Sequence, residues 1–223
     1  AVLARRFPGV PTILRGPFGT GKTAVMLEAI KQLYTTKPDA HFLVCCETNS
    51  AADAFVEQLD KFVQQNHMFR VMAFQRSQDN CSAVVRRYTK FDHALNLYDI
   101  PDIERLRQYR IIVSTVYVCH HSLTHSLTHS LTHSLTHSLT HSLGVVCDNS
   151  DSSSPLRGVG IDKAFFDFLF VDEAGQLMET KLTIALQYAT PETVVVLAGD
   201  PNRMCLSFAP SLVRLACSLT LGR

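Results

Sequence analysis

Eight residues, GPFGTGKT from Gly16 to Thr23, carry the clearest chemistry in this sequence. Their spacing is G-x-x-x-x-G-K-T. Glycines let a backbone curl until several N–H groups face one point, which is what an anionic phosphate requires. A lysine beside the last glycine reaches the β- and γ-phosphates, and the next hydroxyl binds Mg2+. Gly16, Pro17, Phe18, Gly19, Thr20, Gly21, Lys22 and Thr23 are therefore the candidate nucleotide-binding residues. Thr23 is also a candidate Mg2+ ligand.

Two further constellations carry acids. In FLFVDEAGQ, Phe168 to Gln176, four apolar residues run into Asp172 and Glu173. In a parallel sheet, ligands bind at the C-terminal ends of the strands. Asp172 at such an end would hold Mg2+ through water, and Glu173 would polarise an attacking water. The same pair could also cap the next helix. LAGDP, Leu197 to Pro201, follows the apolar run TVVV and reads either as a turn or as another acid at the same edge. In ETNSAAD, Glu47 to Asp53, residues Thr48, Asn49 and Ser50 put small donors at a helix start. They read either as a capping motif, with Asn49 or Ser50 as N-cap, or as donors to a nucleic-acid phosphate.

The elements that must position these residues follow from periodicity. PTIL reads as a buried strand feeding the glycine loop, and HFLVCC, FRVMAF, RIIVSTVYV, FDFLFVDE and TVVVLAGD read as further strands. KTAVMLEAIKQLY has apolar residues at Val25, Met26, Ala29, Ile30 and Leu33, a helical face. AADAFVEQLDKFVQQ repeats the pattern at Ala54, Phe55, Leu59, Phe62 and Val63, and ETKLTIALQYA reads as a third helix. Nearly continuous apolar strands alternating with helices predict an α/β fold with a mostly parallel central sheet covered on both faces.

The 223 residues suffice for one core or one domain with an insertion. With 46% hydrophobic and 18% charged residues the chain reads as a globular domain. A net charge of +1 gives no bulk attraction to nucleic acid or membrane, so any basic groove must be local. The seven cysteines include no C-x-x-C pair, which predicts free thiols and no zinc site. No apolar run approaches the roughly 18 residues of a membrane span, so no membrane partner is expected. The first residue is Ala1, which reads as a cut rather than a natural start.

One segment breaks the pattern. From His121 to Leu143 the unit H-S-L-T occurs five times and begins a sixth, and DNSDSSSPLRG follows. As a helix the tract would place histidines about one turn apart, close enough to share a metal. Low complexity reads instead as a disordered loop.

Taken together, GPFGTGKT, TNSAAD, IIVSTVYVC, FVDEAGQ and LAGDP resemble the motifs of superfamily 1 helicases, in order and approximate spacing. The RNA-surveillance-like branch fits, and within it PTILRGPFGTGKT with TNSAAD looks most similar to the helicase-with-zinc-finger proteins. The resemblance implies a three-layer P-loop NTPase fold (RecA-like), covering residues 1–120 and 156–223 as a first lobe. Residues 121–155 are then an insertion in a surface connection. It implies ATP and Mg2+ as cofactors and single-stranded RNA as partner, with DNA a second candidate. Lys22, Glu173 and Gln176 would be catalytic. Thr23 and Asp172 would hold the metal. Thr48, Asn49, Ser50, Ser114 and Thr115 would touch the nucleic-acid backbone. A cytoplasmic location is expected, with the nucleus as alternative.

This sequence departs from the family pattern at four places. Glu47 and Thr48 stand where proline and serine usually precede the asparagine. Arg203 stands where a glutamine senses the γ-phosphate. The adenine-reading glutamine would lie before Ala1, and the second RecA-like lobe with its arginine fingers is missing. The implied function is the ATP-binding lobe of an RNA helicase, with nucleotide bound weakly and hydrolysed barely by this chain alone. The alternatives are an ATP-gated switch without a polymer, or an inactive binding fragment.

Overall fold

The computed structural model describes residues 9–73, 76–116, 161–177 and 179–200. The repeat and serine-rich segment 121–155, Arg203 and the rest of 201–223 lie outside the described residues.

Apolar residues on both faces of a strand demand cover on both faces, and the sheet is built that way. Strands β1 (Thr12–Arg15), β2 (Phe42–Cys46), β3 (Met68–Arg70), β6 (Ile111–Thr115), β7 (Phe168–Val171) and β8 (Val194–Gly199) form one sheet. Its order is β1-β8-β7-β2-β6-β3, and every pairing is parallel. Successive side chains alternate between faces. Phe42, Val44 and Cys46 of β2 thus enter one core with Met26, Ile30, Phe55 and Leu59. Leu43 and Cys45 enter the other with Phe166, Leu182 and Leu186.

Helices α1 (Lys22–Thr36) and α2 (Asn49–Leu59) cover the first face. Helix α1 buries Met26, Ala29, Ile30 and Leu33, as its spacing predicts, but Val25 lies off that stripe and is 50% exposed. Helix α2 stops at Leu59, short of the expected run, because the chain tightens there: Lys61 N donates to Gln58 O and Phe62 N to Leu59 O. Its buried face is Ala52, Phe55, Val56 and Leu59, while Ala54 faces solvent. The third expected helix, α5 (Glu179–Leu186), packs on the second face through Leu182, Ala185 and Leu186.

The stretch between β3 and β6 holds two short helices, α3 (Ala83–Arg86) and α4 (Ile103–Leu106). Between them runs an antiparallel hairpin of β4 (Lys90–Asp92) and β5 (Leu97–Asp99). Strand β1 differs from its expectation. It pairs only with β8 among the described residues and alternates between half-buried and exposed positions, as a sheet edge does. Cys45, Cys46 and Cys81 are buried free thiols. Among the described residues no helix is long and apolar enough to cross a membrane.

Candidate nucleotide site

The loop from Gly16 to Gly21 leaves the C-terminal end of β1 and enters α1. Gly19 and Gly21 hold φ of 78° and 84°, in the left-handed region that a side chain disfavours. Gly21 precedes α1, and no side chain caps that helix start. The first N–H groups of α1 and its positive end are thus directed into the loop, the arrangement that binds anions. Lys22 Nζ sits over the same loop, donating to Gly16 O at 3.0 Å and Pro17 O at 3.1 Å. Thr20 Oγ1 donates to Pro17 O at 2.8 Å and braces the turn. Phe18 is 73% exposed at the rim.

The acids arrive from the other end of the chain. Thr23 Oγ1 donates to Asp172 Oδ2 at 3.0 Å across 149 positions of sequence. Asp172 is buried, and its N–H donates to Cys45 O at 2.9 Å, tying the turn after β7 to β2. Burial pushes the Asp172 carboxyl above its ordinary range. The Thr23 hydroxyl, the Glu173 amide and the Lys22 charge oppose that rise, and the Glu173 carboxylate adds to it. A cation here would relieve the same penalty. Glu173 has φ 52°, a conformation that costs a residue with a Cβ about 1–2 kcal/mol. Its N–H donates to Asp172 Oδ1 at 3.0 Å, and its Oε2 accepts from Gln176 Nε2 at 2.9 Å. The two acids therefore face different work: Asp172 is buried toward Thr23, and Glu173 is half-exposed and held by Gln176.

Strand β8 lies between β1 and β7, so the loop and the acid turn meet over its end. Small residues permit that approach. Gly16 N donates to Gly199 O at 3.3 Å, and Ala174 N to Ala198 O at 2.7 Å. A Cβ on Gly199 would lie 2.8 Å from Gly175 N, which is backbone and cannot swing aside. Gly199→Ala is therefore expected to destabilise the chain by about 1–3 kcal/mol and to weaken nucleotide binding, read by denaturant unfolding and nucleotide titration. An unchanged unfolding midpoint would contradict this contact. The sequence left LAGDP either as a turn or at this edge and gave Gly199 no role; the signal was the small pair Ala198–Gly199 closing an apolar strand.

The residues expected at a nucleic-acid backbone divide. Thr48 and Ser50 are exposed at the start of α2. Thr48, not Asn49 or Ser50, is the N-cap: its Oγ1 accepts from Ala51 N at 3.2 Å. Asn49 is half-buried and its Oδ1 accepts from Arg70. Ser114 and Thr115 are buried within β6, where Ser114 Oγ donates to Thr115 O at 3.0 Å, so neither side chain faces solvent. Asp200 is buried at the end of β8. A second cleft of about 750 Å³ lies by the N-terminal end of β3, lined by Met68, Arg87, Lys90 and Tyr109. Of its three cations, Arg87 pairs with Asp60 and Lys90 with Asp99 at the surface, and Arg105 is the third.

A family profile described as an AAA domain matches residues 4–143, more than half of the chain. The chain belongs to the AAA domain family. Three curated relatives of this AAA domain carry helicase in their names. It is 27% identical over 203 residues to "Putative helicase MOV-10" of Gallus gallus, covering 87% of this chain and 18% of that protein. It is 30% identical over 198 residues to "RNA helicase Mov10l1" of Homo sapiens, covering 87% and 13%. It is 26% identical over 195 residues to "Probable helicase with zinc finger domain" of Homo sapiens, covering 85% and 8%. These matches make the AAA domain similar to helicases of the branch that these three proteins share. The chain spans less than a fifth of each of the three. The solved structure of T4 UvsW matches at TM-score 0.49 and 7% identity, over 93% of this chain and 30% of that one.

Proposed function

We propose that this chain is the ATP-binding lobe of an ATP-dependent RNA helicase or translocase. In the full-length protein it would couple hydrolysis to movement along single-stranded RNA. The observation that carries this reading is the Thr23–Asp172 hydrogen bond, which joins the phosphate loop to the acid turn. The lobe comprises residues 1–120 and 156–223, with 121–155 inserted in a connection. A second RecA-like lobe would complete the site, and the cytoplasm is the expected compartment.

The donor set fits a magnesium triphosphate. Left-handed glycines and an uncapped helix start face one point, and Lys22 stands over them beside a hydroxyl–carboxylate pair. Lys22 and the N–H groups of Gly19 to Thr23 would hold the phosphates, and Thr23 and Asp172 the Mg2+. When bound, the nucleotide supplies the γ-phosphoryl group that water attacks. Glu173 orients that water and takes its proton, and Gln176 holds the Glu173 carboxylate in place. Asp172 stays directed at Thr23 because its carboxylate is fixed by the Thr23 hydroxyl and the Glu173 N–H. Thr48 and Ser50, exposed at the start of α2, and half-buried Asn49 between them would meet the RNA backbone.

Two titrations test the reading. Nucleotide binding to the chain is expected to need Mg2+ and to weaken by about 10- to 100-fold in Lys22→Ala, the loss of one charge-assisted contact. Binding of unstructured RNA is expected to fall steeply as salt rises, because phosphate contacts release counterions. Nucleotide binding with no RNA binding would sink the polymer half and leave an ATP-gated switch.

A further inference from the structure

Arg70 received no role from the sequence, yet it is fully buried at the C-terminal end of β3. Its guanidinium reaches three groups. Nε donates to Asp53 Oδ1 at 3.2 Å, Nη1 to the Val71 carbonyl, and Nη2 to Asn49 Oδ1 at 2.9 Å. Asp53 lies one turn along α2 from Asn49 and also accepts from Arg76 Nη1 at 3.1 Å. The ion pair with Asp53 thus holds Arg70 whether or not Asn49 is present.

That arrangement has a chemical consequence for Asn49. A guanidinium carries donors only, so the limb of the carboxamide that meets it must be the oxygen. The NH2 limb is then turned away from Arg70. It makes no hydrogen bond to any described residue, at the first position of α2, on a residue that is half-exposed. An untethered asparagine could turn either limb outward, and an outward oxygen would repel a phosphate.

We propose that Arg70 is a positioning residue for nucleic-acid binding: it holds Asn49 with its oxygen inward, so that the NH2 group donates to a backbone phosphate arriving at the start of α2. The inference rests on the RNA reading above and deepens it. Asn49 makes the contact, and Arg70 sets which limb is offered.

The test is binding of a fluorescein-labelled oligouridylate to the 223-residue chain by anisotropy, with urea unfolding midpoints for each variant. Asn49→Ala is expected to weaken binding about 10-fold, the loss of one hydrogen bond to a charged group. Arg70→Lys keeps a cation for Asp53 but loses the fork that spans to Asn49, and is expected to weaken binding about threefold or more. In an Asn49→Ala background Arg70→Lys is expected to cause no further loss, a coupling that a general packing fault would not show. RNA binding by Arg70→Lys equal to wild type overturns the proposal, as does an undiminished loss in the double variant. Should Arg70→Lys fail to fold, Asn49→Asp decides. It keeps an acceptor facing Arg70 but turns a carboxylate oxygen outward, so it is expected to keep or raise the unfolding midpoint and to weaken RNA binding by about 10-fold or more. A folded Asn49→Asp chain with unchanged RNA affinity overturns the proposal. No RNA binding by the wild-type chain is a separate outcome, which removes the RNA reading and this inference with it.

Discussion

Glu173→Gln is expected to lower turnover in the full-length protein by about 10²- to 10⁴-fold, the usual contribution of a positioned general base. Nucleotide affinity is expected to stay within about twofold, because the phosphate and metal contacts proposed above fall to Lys22, Thr23 and Asp172, and none of them is altered. The substitution is close to isosteric. The amide oxygen of the substituted side chain can still accept from Gln176 Nε2, and the left-handed backbone at this position disfavours glutamine as much as glutamate. The change therefore removes a proton acceptor with little disturbance of shape. Single-turnover hydrolysis set beside equilibrium nucleotide binding separates the two effects. Turnover within a factor of about two of wild type would remove Glu173 from the chemistry and leave it as a turn residue.

The largest expected loss of stability lies elsewhere, at Asp53→Ala. Asp53 is the only carboxylate paired with buried Arg70 among the described residues, and it also binds Arg76. Its removal leaves the Arg70 charge with only the Asn49 and Val71 oxygens as acceptors. Breaking one side of a buried ion pair costs about 3–5 kcal/mol. The urea midpoint of Asp53→Ala is therefore expected to fall far below that of wild type. Replacing both partners, as in Asp53→Leu with Arg70→Met, is expected to recover much of the loss, because no charge is then stranded. If Asp53→Ala unfolds at the wild-type midpoint, solvent reaches Arg70 and the burial is not what its position implies.

Much of this architecture can be read from side-chain periodicity, and the places where it cannot are instructive. The runs FLVCC, IIVST and FLFV are buried at every position, because each strand feeds two cores. The glycine loop was legible because few other segments need two left-handed residues beside a lysine. Strand β1 was misread as buried because an apolar run does not state how many neighbours it has. Val25 and Ala54 were misread for a related reason: a helical stripe has flanks, and only the packing decides which flank is covered. The hairpin of β4 and β5 carries charged Lys90, Asp92 and Asp99, which weaken an alternating signal. The Arg70–Asn49 contact spans 21 positions, and no local pattern marks it. Ser114 and Thr115 are consecutive in β6 and point to opposite faces of the sheet, and both are buried because both faces are covered.

Strand β1 joins the sheet only through β8 among the described residues, and β8 is the last described strand. As a nascent chain leaves the ribosome, β1 therefore emerges before β8, its one partner strand among the described residues. From Thr12 to Val194 synthesis takes on the order of 10–40 s at about 5–20 residues per second. Throughout that interval β1 waits for that partner strand. A product halted before Val194 would carry every letter of GPFGTGKT and still lack the strand end over which the loop and the acid turn meet.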